Sequence, residues 1–401
     1  MRITKLTALA LLAATAVAVP ATPVAAGGTG DRGDVVHSVP VPELSLDPAG
    51  VEDLLTPLGV YVPEARRGVD AYRISYRTVD VRGRRTTAST LVVLPRGADR
   101  TLRPAVWLHG TQSYRMDAPS VSECCDRAAG VLFASLGYAT TVPDYLGLGE
   151  GPGTHPYLHS ATMASATVDA LRATRALAGR AGRRVGGPVS VSGFSQGANA
   201  SFHVARALQR GAAPGFTLGA LAPISGAYEL FDTEWPAALD SAVQPPRLAA
   251  YYLAYVTVAW NRIYHLYGDE AEVFQAPYAG RVAALFDGEH TIEESMAGLA
   301  GSPAELFRPE YLAQLRQPTG ALARAARLND DACRGWRPAV PVRMYAGHGD
   351  PEAVYANSTG CLASLRAAGT DVTLTDVGDV DHITSLVLSV PQVARWFATL
   401  A

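Results

Sequence analysis

The chain has 401 residues, 48% of them hydrophobic, with 34 basic and 37 acidic side chains and a formal net charge of -3. This length and apolar content predict a folded globule with one large core or two small ones. The missing basic surplus excludes an electrostatic footing for nucleic acid.

Arg2 and Lys5 precede an apolar run from Leu6 to Val19, and Val24-Ala25-Ala26 offers small residues for cleavage before Gly27. Residues 1–26 therefore read as a secretory signal, the run being shorter than the ~20 apolar residues of a membrane span. The expectation is a secreted, extracellular protein with no integral membrane segment after cleavage. Residues 27–50 are rich in Pro and Gly and read as a flexible leader, Arg32-Gly33-Asp34 included.

Past the leader, alternation over 72–79 and 86–95, broken at Arg82-Gly83, predicts a β-hairpin. Short apolar runs over 105–108 and 138–142 end in His109-Gly110 and Pro143-Asp144, as parallel strands opening into loops do. A helix over 161–178, a strand over 189–191, a helix over 198–208 and a strand over 218–223 follow. Strands over 342–345 and 372–374 then flank a helix over 355–367, and a helix over 386–400 closes the chain. The alternation predicts an α/β fold with a mostly parallel, doubly wound sheet. Residues 226–337 show no strand pattern but carry Tyr251, Tyr255, Trp260, Tyr264 and Tyr267 at helical separations. They read as a helical cap or lid inserted into a core of 51–225 and 338–401. Most of that aromatic stripe is expected to pack the cap on the sheet, not to touch substrate.

Cys124, Cys125, Cys333 and Cys361 allow one or two disulfides in an oxidising compartment. Cys333 with Cys361 is favoured, since adjacent cysteines rarely bridge each other. Free buried thiols are the alternative, and without a Cys-x-x-Cys spacing the zinc reading fails.

Gly193-Phe194-Ser195-Gln196-Gly197 matches G-x-S-x-G, for which chance alone expects roughly 0.2 occurrences in a chain this rich in glycine. Context adds weight: the strand at Val189–Val191 runs into the motif and a helix leaves it, as a nucleophile elbow requires. The turn would point the Ser195 oxygen out of the sheet edge, and the helix N-terminus would let the Gln196 N–H hold an oxyanion. A second donor is expected from the loop His109-Gly110-Thr111-Gln112, with the Thr111 N–H as candidate and His109 as a loop-shaping residue.

Two strands end in Gly and Asp: Met344 to Pro351, and Val377 to His382. His382 fits the base, and Asp350 the carboxylate that holds its tautomer, in the chain order Ser, acid, His. Asp379 and Asp381 are alternative acids, although sequence neighbours seldom reach the ring edge. His348 is the rival base but precedes Asp350. His155, His159, His203, His265 and His290 lie outside a strand-end loop after the acid. The chemistry requires no metal or organic cofactor.

These residues resemble the secretory lipase family, the secreted α/β-hydrolases of the yeast lipase A type and their bacterial relatives. The resemblance covers most of the mature chain. It rests on Trp107-Leu108-His109-Gly110-Thr111, on Val142-Pro143-Asp144-Tyr145-Leu146-Gly147-Leu148-Gly149, on His155-Pro156-Tyr157-Leu158, on Gly193 to Gly197, and on Gly347-His348-Gly349-Asp350 with Asp381-His382. The Asp-Tyr-x-Gly-x-Gly stretch followed by His-Pro-Tyr is the most family-specific part. The resemblance implies the α/β-hydrolase fold, a lid in the insertion, and a site-shaping part for Asp144 and Tyr145. In the yeast enzymes a flap follows the catalytic histidine and the first oxyanion residue is acidic. The single closing helix and Thr111 here point to esterase more than to long-chain lipase activity.

The expected function is hydrolysis of carboxylic esters, acylglycerol-like or otherwise apolar small molecules, through an acyl-enzyme. A lipid interface is one place to meet them, and no obligate protein partner is implied. One alternative is a secreted peptidase of the same fold, which would need an acidic pair such as Asp269-Glu270 or Glu293-Glu294 to hold an amino terminus. The other is a non-catalytic binding module, against which the complete triad stands.

Overall fold

Nine strands join into one sheet among the residues that the computed structural model describes, 31–97, 99–123 and 126–400. The expected signal sequence and the Cys124-Cys125 pair lie outside them. The strands are β1 (Val35–Pro40), β2 (Val69–Val79), β3 (Arg85–Pro95), β4 (Pro104–Leu108), β5 (Ala139–Pro143), β6 (Gly187–Phe194), β7 (Phe216–Ile224), β8 (Val342–Ala346) and β9 (Val372–Asp376). Their order across the sheet is β1-β2-β3-β5-β4-β6-β7-β8-β9. β1, β2, β3 and β5 pair antiparallel in turn, and from β5 to β9 every neighbour is parallel. The fold is thus the expected mostly parallel α/β sheet.

Strand periodicity distributes the core over two layers. Leu91, Val93, Ala105 and Trp107 face α1 (Pro48–Leu55), α2 (Asp126–Ser135) and the closing helix His382–Ala398. Val92, Leu94, Val106 and Leu108 face α3 (Ser160–Arg180), α4 (Gln196–Gln209) and the helix Tyr355–Ala367. Strands covered on both faces read as unbroken apolar runs, which is why the central strands were legible without alternation.

The chain from Asp31 onward is not a flexible leader: β1 adds an edge strand to β2, and Arg32 meets the buried Asp169 carboxylate at 2.9 Å. The sequence expectation missed β1 because an edge strand buries little and shows no clean alternation. It missed α2 because Arg127 to Ser135 are all buried, leaving no polar face to reveal a helical period.

Between β7 and β8 the chain builds a helical cap whose longest element is α5 (Pro246–Tyr264). Tyr251, Tyr255 and Trp260 are buried, but in the cap's own apolar cluster and not against the sheet as expected, because the insertion is long enough to bury a core of its own. Tyr267 lies past the end of α5, because His265 turns left-handed at φ 53°. The cap is bonded to the core loops through Tyr255 OH to the Gln112 carbonyl (3.0 Å) and Trp260 Nε1 to the Tyr157 carbonyl (3.1 Å). Cys333 and Cys361 form the favoured disulfide, which ties the end of the cap segment to the helix Tyr355–Ala367. No helix among the described residues is long and apolar enough to cross a membrane.

Candidate active site

β6 ends at Phe194 and α4 starts at Gln196, so Ser195 alone makes the turn, at φ 57° and ψ -120°. A non-glycine residue is strained there and stays only where its surroundings hold it. Ser195 N–H donates to the Ile224 carbonyl (3.0 Å). The motif glycines are sterically required: a Cβ on Gly193 would stand 2.4 Å from the Gly197 carbonyl oxygen, and one on Gly197 would stand 2.0 Å from that of Leu108. The first turn of α4, whose N–H groups lack intrahelical acceptors, begins beside the Ser195 side chain.

His382 opens the closing helix, four residues earlier than expected, because the Asp381 side chain caps the Thr384 N–H at 2.7 Å. We label this helix α7 and Tyr355–Ala367 α6. His382 Nδ1 lies 2.6 Å from Asp350 Oδ2, with both side chains buried. Asp350 Oδ1 accepts from the backbone N–H groups of Glu352 (2.8 Å) and Ala353 (3.1 Å), which fixes the carboxylate's orientation. That arrangement keeps the proton on Nδ1 and leaves Nε2 as a base. Burial alone would lower the imidazole pKa, but the hydrogen bond and charge of Asp350, with Glu352 and Glu234 adding, raise it above its ordinary value. The Phe194 ring sits 4.4 Å from the imidazole, beside the Ser195 turn. The hydrogen bonds of the described residues include none from Ser195 Oγ to His382, a contact that commonly tightens only with substrate.

The rival groups are engaged elsewhere. His348 pairs with Asp376 at 2.9 Å on the surface, Asp381 is the helix cap, and Asp379 is exposed. His159 bonds Thr162, His203 faces Asp331, and His290 bonds Asp287.

Thr111 and Gln196 line one cavity with Ser195, and Thr111 Oγ1 is 3.0 Å from Tyr157 OH. The loop that carries Thr111 is held from below by residues of the family-specific stretches. His109 Nδ1 is 2.8 Å from the Gly110 carbonyl, and Tyr145 OH donates to the His109 carbonyl (3.2 Å). Asp144 accepts from Ser89 Oγ (2.6 Å) and Ser120 N–H (2.9 Å), and burial pushes its carboxyl up. His155 has a part that sequence reasoning missed. Its Nδ1 donates to the Leu146 carbonyl (3.0 Å), so its Nε2 accepts from Gln196 Nε2 (2.9 Å). Burial lowers its pKa to about 3, which keeps the ring neutral in that part. His155 thereby fixes the side chain next to Ser195.

The cavity is narrow, with an interior volume of about 50 Å³ beside Ser195. Its cap wall includes Leu230, Trp235, Tyr252, Leu253 and Val256, so α5 contributes Tyr252, Leu253 and Val256 to the site. Glu234, Gln244 and Glu352 also line it, and no local pattern in the sequence announced them. The acidic pairs weighed for a peptidase stand elsewhere: Asp269 and Glu294 cap short helices, Glu270 accepts from Gly280 N–H (2.9 Å), and Glu293 is exposed.

No protein-family model and no curated protein matches the chain. Solved structures do. A putative hydrolase from Legionella pneumophila matches with a TM-score of 0.82 at 24% identity, over 91% of this chain and 97% of that one. The rice cell wall degrading esterase LipA from Xanthomonas oryzae, in a ligand-bound form, matches with a TM-score of 0.77 at 26% identity, over 91% and 97%. Candida antarctica lipase A matches with a TM-score of 0.66 at 14% identity, over 92% and 83%. The chain thus has the α/β-hydrolase fold that these esterase and lipase structures share.

Proposed function

We propose that the chain is a serine hydrolase that cleaves carboxylic esters through an acyl-enzyme. The observation that carries this reading is the buried Asp350–His382 pair at 2.6 Å, next to a serine held in a left-handed strand-to-helix turn. Ser195 Oγ attacks the ester carbonyl while His382 Nε2 takes its proton, and the N–H groups of Thr111 and Gln196 hold the oxyanion. His382 then protonates the departing alkoxide. Water adds to the acyl-enzyme with His382 again as base, releasing the acid and restoring Ser195. The segment 226–337 acts as a cap that shields this chemistry from solvent. Export through residues 1–26 agrees with a disulfide between Cys333 and Cys361, which an oxidising compartment preserves.

The test is hydrolysis of p-nitrophenyl esters from acetate to palmitate, with Ser195→Ala alongside. Activity concentrated on short acyl chains supports an esterase, whereas a rise toward palmitate would make it a lipase. A peptidase is favoured by one observation, that two carboxyls, Glu234 and Glu352, line the cavity. Cleavage of amino-acyl p-nitroanilides in preference to esters would establish it.

A further inference from the structure

The cavity beside Ser195 holds more carboxyl than an apolar ester calls for. Glu234 ends a single π-helical turn, Leu230–Glu234, and is buried, while Glu352 follows two residues after Asp350. Both line the cavity, and among the described residues no arginine, lysine or histidine lines it with them. Hydrogen bonds fix the part that Glu234 can play. Gln244 Nε2 is 2.6 Å from Glu234 Oε1 and 2.9 Å from the Glu352 carbonyl, two acceptors that occupy both its hydrogens. Asn357 Oδ1 accepts from the Glu229 N–H (3.0 Å), which turns Asn357 Nδ2 toward Glu234 Oε2. Glu234 therefore accepts at both oxygens. The charged groups that act on it are Asp350 and His382, and burial pushes its carboxyl up to about 8. Glu352 Oε2 accepts from Tyr252 OH at 2.7 Å. The rings of Tyr157, Trp235 and Tyr252 supply aromatic wall around the two carboxyls.

With no cation beside it, the buried Glu234 carboxyl keeps its proton up to about pH 8, and a positive ligand in the cavity would favour its charged form. Aromatic faces attract the same ligand through their quadrupoles. We propose that this cavity binds an ammonium group, so that the preferred substrate is an ester carrying a quaternary or protonated amine, with Glu234 and Glu352 as its counter-charges. The inference rests on the ester-hydrolase reading of Ser195 and narrows its substrate class beyond apolar esters.

The experiment compares a choline ester, butyrylcholine, with its uncharged carbon isostere, 3,3-dimethylbutyl butyrate. A second pair carries the trimethylammonium or the tert-butyl group on the acyl side. The expected result is a kcat/KM at least about tenfold higher for the charged member of one pair, and a ratio that falls toward one in Glu234→Gln and in Glu352→Gln. Glu352 is the more exposed of the two, so its variant serves if Glu234→Gln fails to fold. Binding of butyrylcholine and of the isostere to Ser195→Ala by calorimetry gives a readout that needs no turnover, and tighter binding of the charged ester is expected. Equal kcat/KM for charged and uncharged esters, with equal binding, would overturn the proposal and leave the hydrolase reading intact. Tighter binding of the charged ester without hydrolysis of any ester would uphold the ammonium site and sink the Ser195 reading instead.

Discussion

Ser195, Asp350 and His382 could be picked out because each sits in a short local pattern, a Gly-flanked serine or a strand ending in Gly and Asp, and because chain order then assigns their parts. Their geometry makes the pH dependence specific. In the proposed mechanism His382 must be neutral to take the Ser195 proton, and its pKa lies above the ordinary 6.5. Activity as kcat/KM should therefore rise with pH through an inflection above 6.5. In Asp350→Asn the inflection should move down and kcat should fall by about 10⁴, which a pH–rate profile of both proteins measures. An unchanged inflection would remove Asp350 from the triad. Glu234 makes a second prediction. Its folded pKa of about 8 stands above the ordinary 4.5, so the folded chain holds a proton that the unfolded chain releases, and stability is lost as pH rises between those values. Glu234→Gln has no such loss. Its melting temperature relative to the parent should increase from pH 5 to pH 8, and a difference independent of pH would contradict the assignment. Glu234, Gln244 and His155 were not legible because their parts depend on partners far away in the chain. Gln244 meets Glu352 across 108 positions, and His155 meets Gln196 across 41. No local spacing encodes such a meeting.

The elements that position these residues differ in how much of them is local. The elbow is almost wholly local: an apolar strand, a serine between glycines, and a helix, with the close approach to Leu108 explaining why Gly197 has no side chain. Gly197→Ala should destabilise the fold by about 3 kcal/mol through overpacking, measured by denaturant unfolding, while a loss under 0.5 kcal/mol would mean that the turn can open. α7 was anticipated four residues late because its start is set by the Asp381 cap, not by the apolar period that begins further on. This shift matters, since it makes His382 the first residue of a helix and not a loop residue. α5 illustrates the opposite limit. Its aromatic stripe showed that the helix is buried, yet which of its residues line the cavity, Tyr252, Leu253 and Val256, became identifiable only once the cap was seen beside Ser195.

On the scale of the whole molecule, alternation of apolar runs and helical periods was enough to anticipate the α/β sheet and the helical insertion. The edge strand β1 and the fully buried α2 escaped because neither carries a two-sided pattern. The assembled molecule adds what the elements lack singly: the cap wall, the Asp350 loop and the elbow converge on one cavity, and the resemblance seen in the motifs agrees with the esterase and lipase structures that share the fold. We propose Ser195 in this cavity as the nucleophile of an acyl-transfer site. It is tested most directly by reacting the protein with a fluorophosphonate, locating the adduct by peptide mass spectrometry, and measuring p-nitrophenyl ester turnover with and without Ser195→Ala. One adduct, on Ser195, and a loss of turnover on the order of 10⁶ in the variant are expected. Ester turnover that persists in Ser195→Ala, or an adduct on another residue, would contradict it.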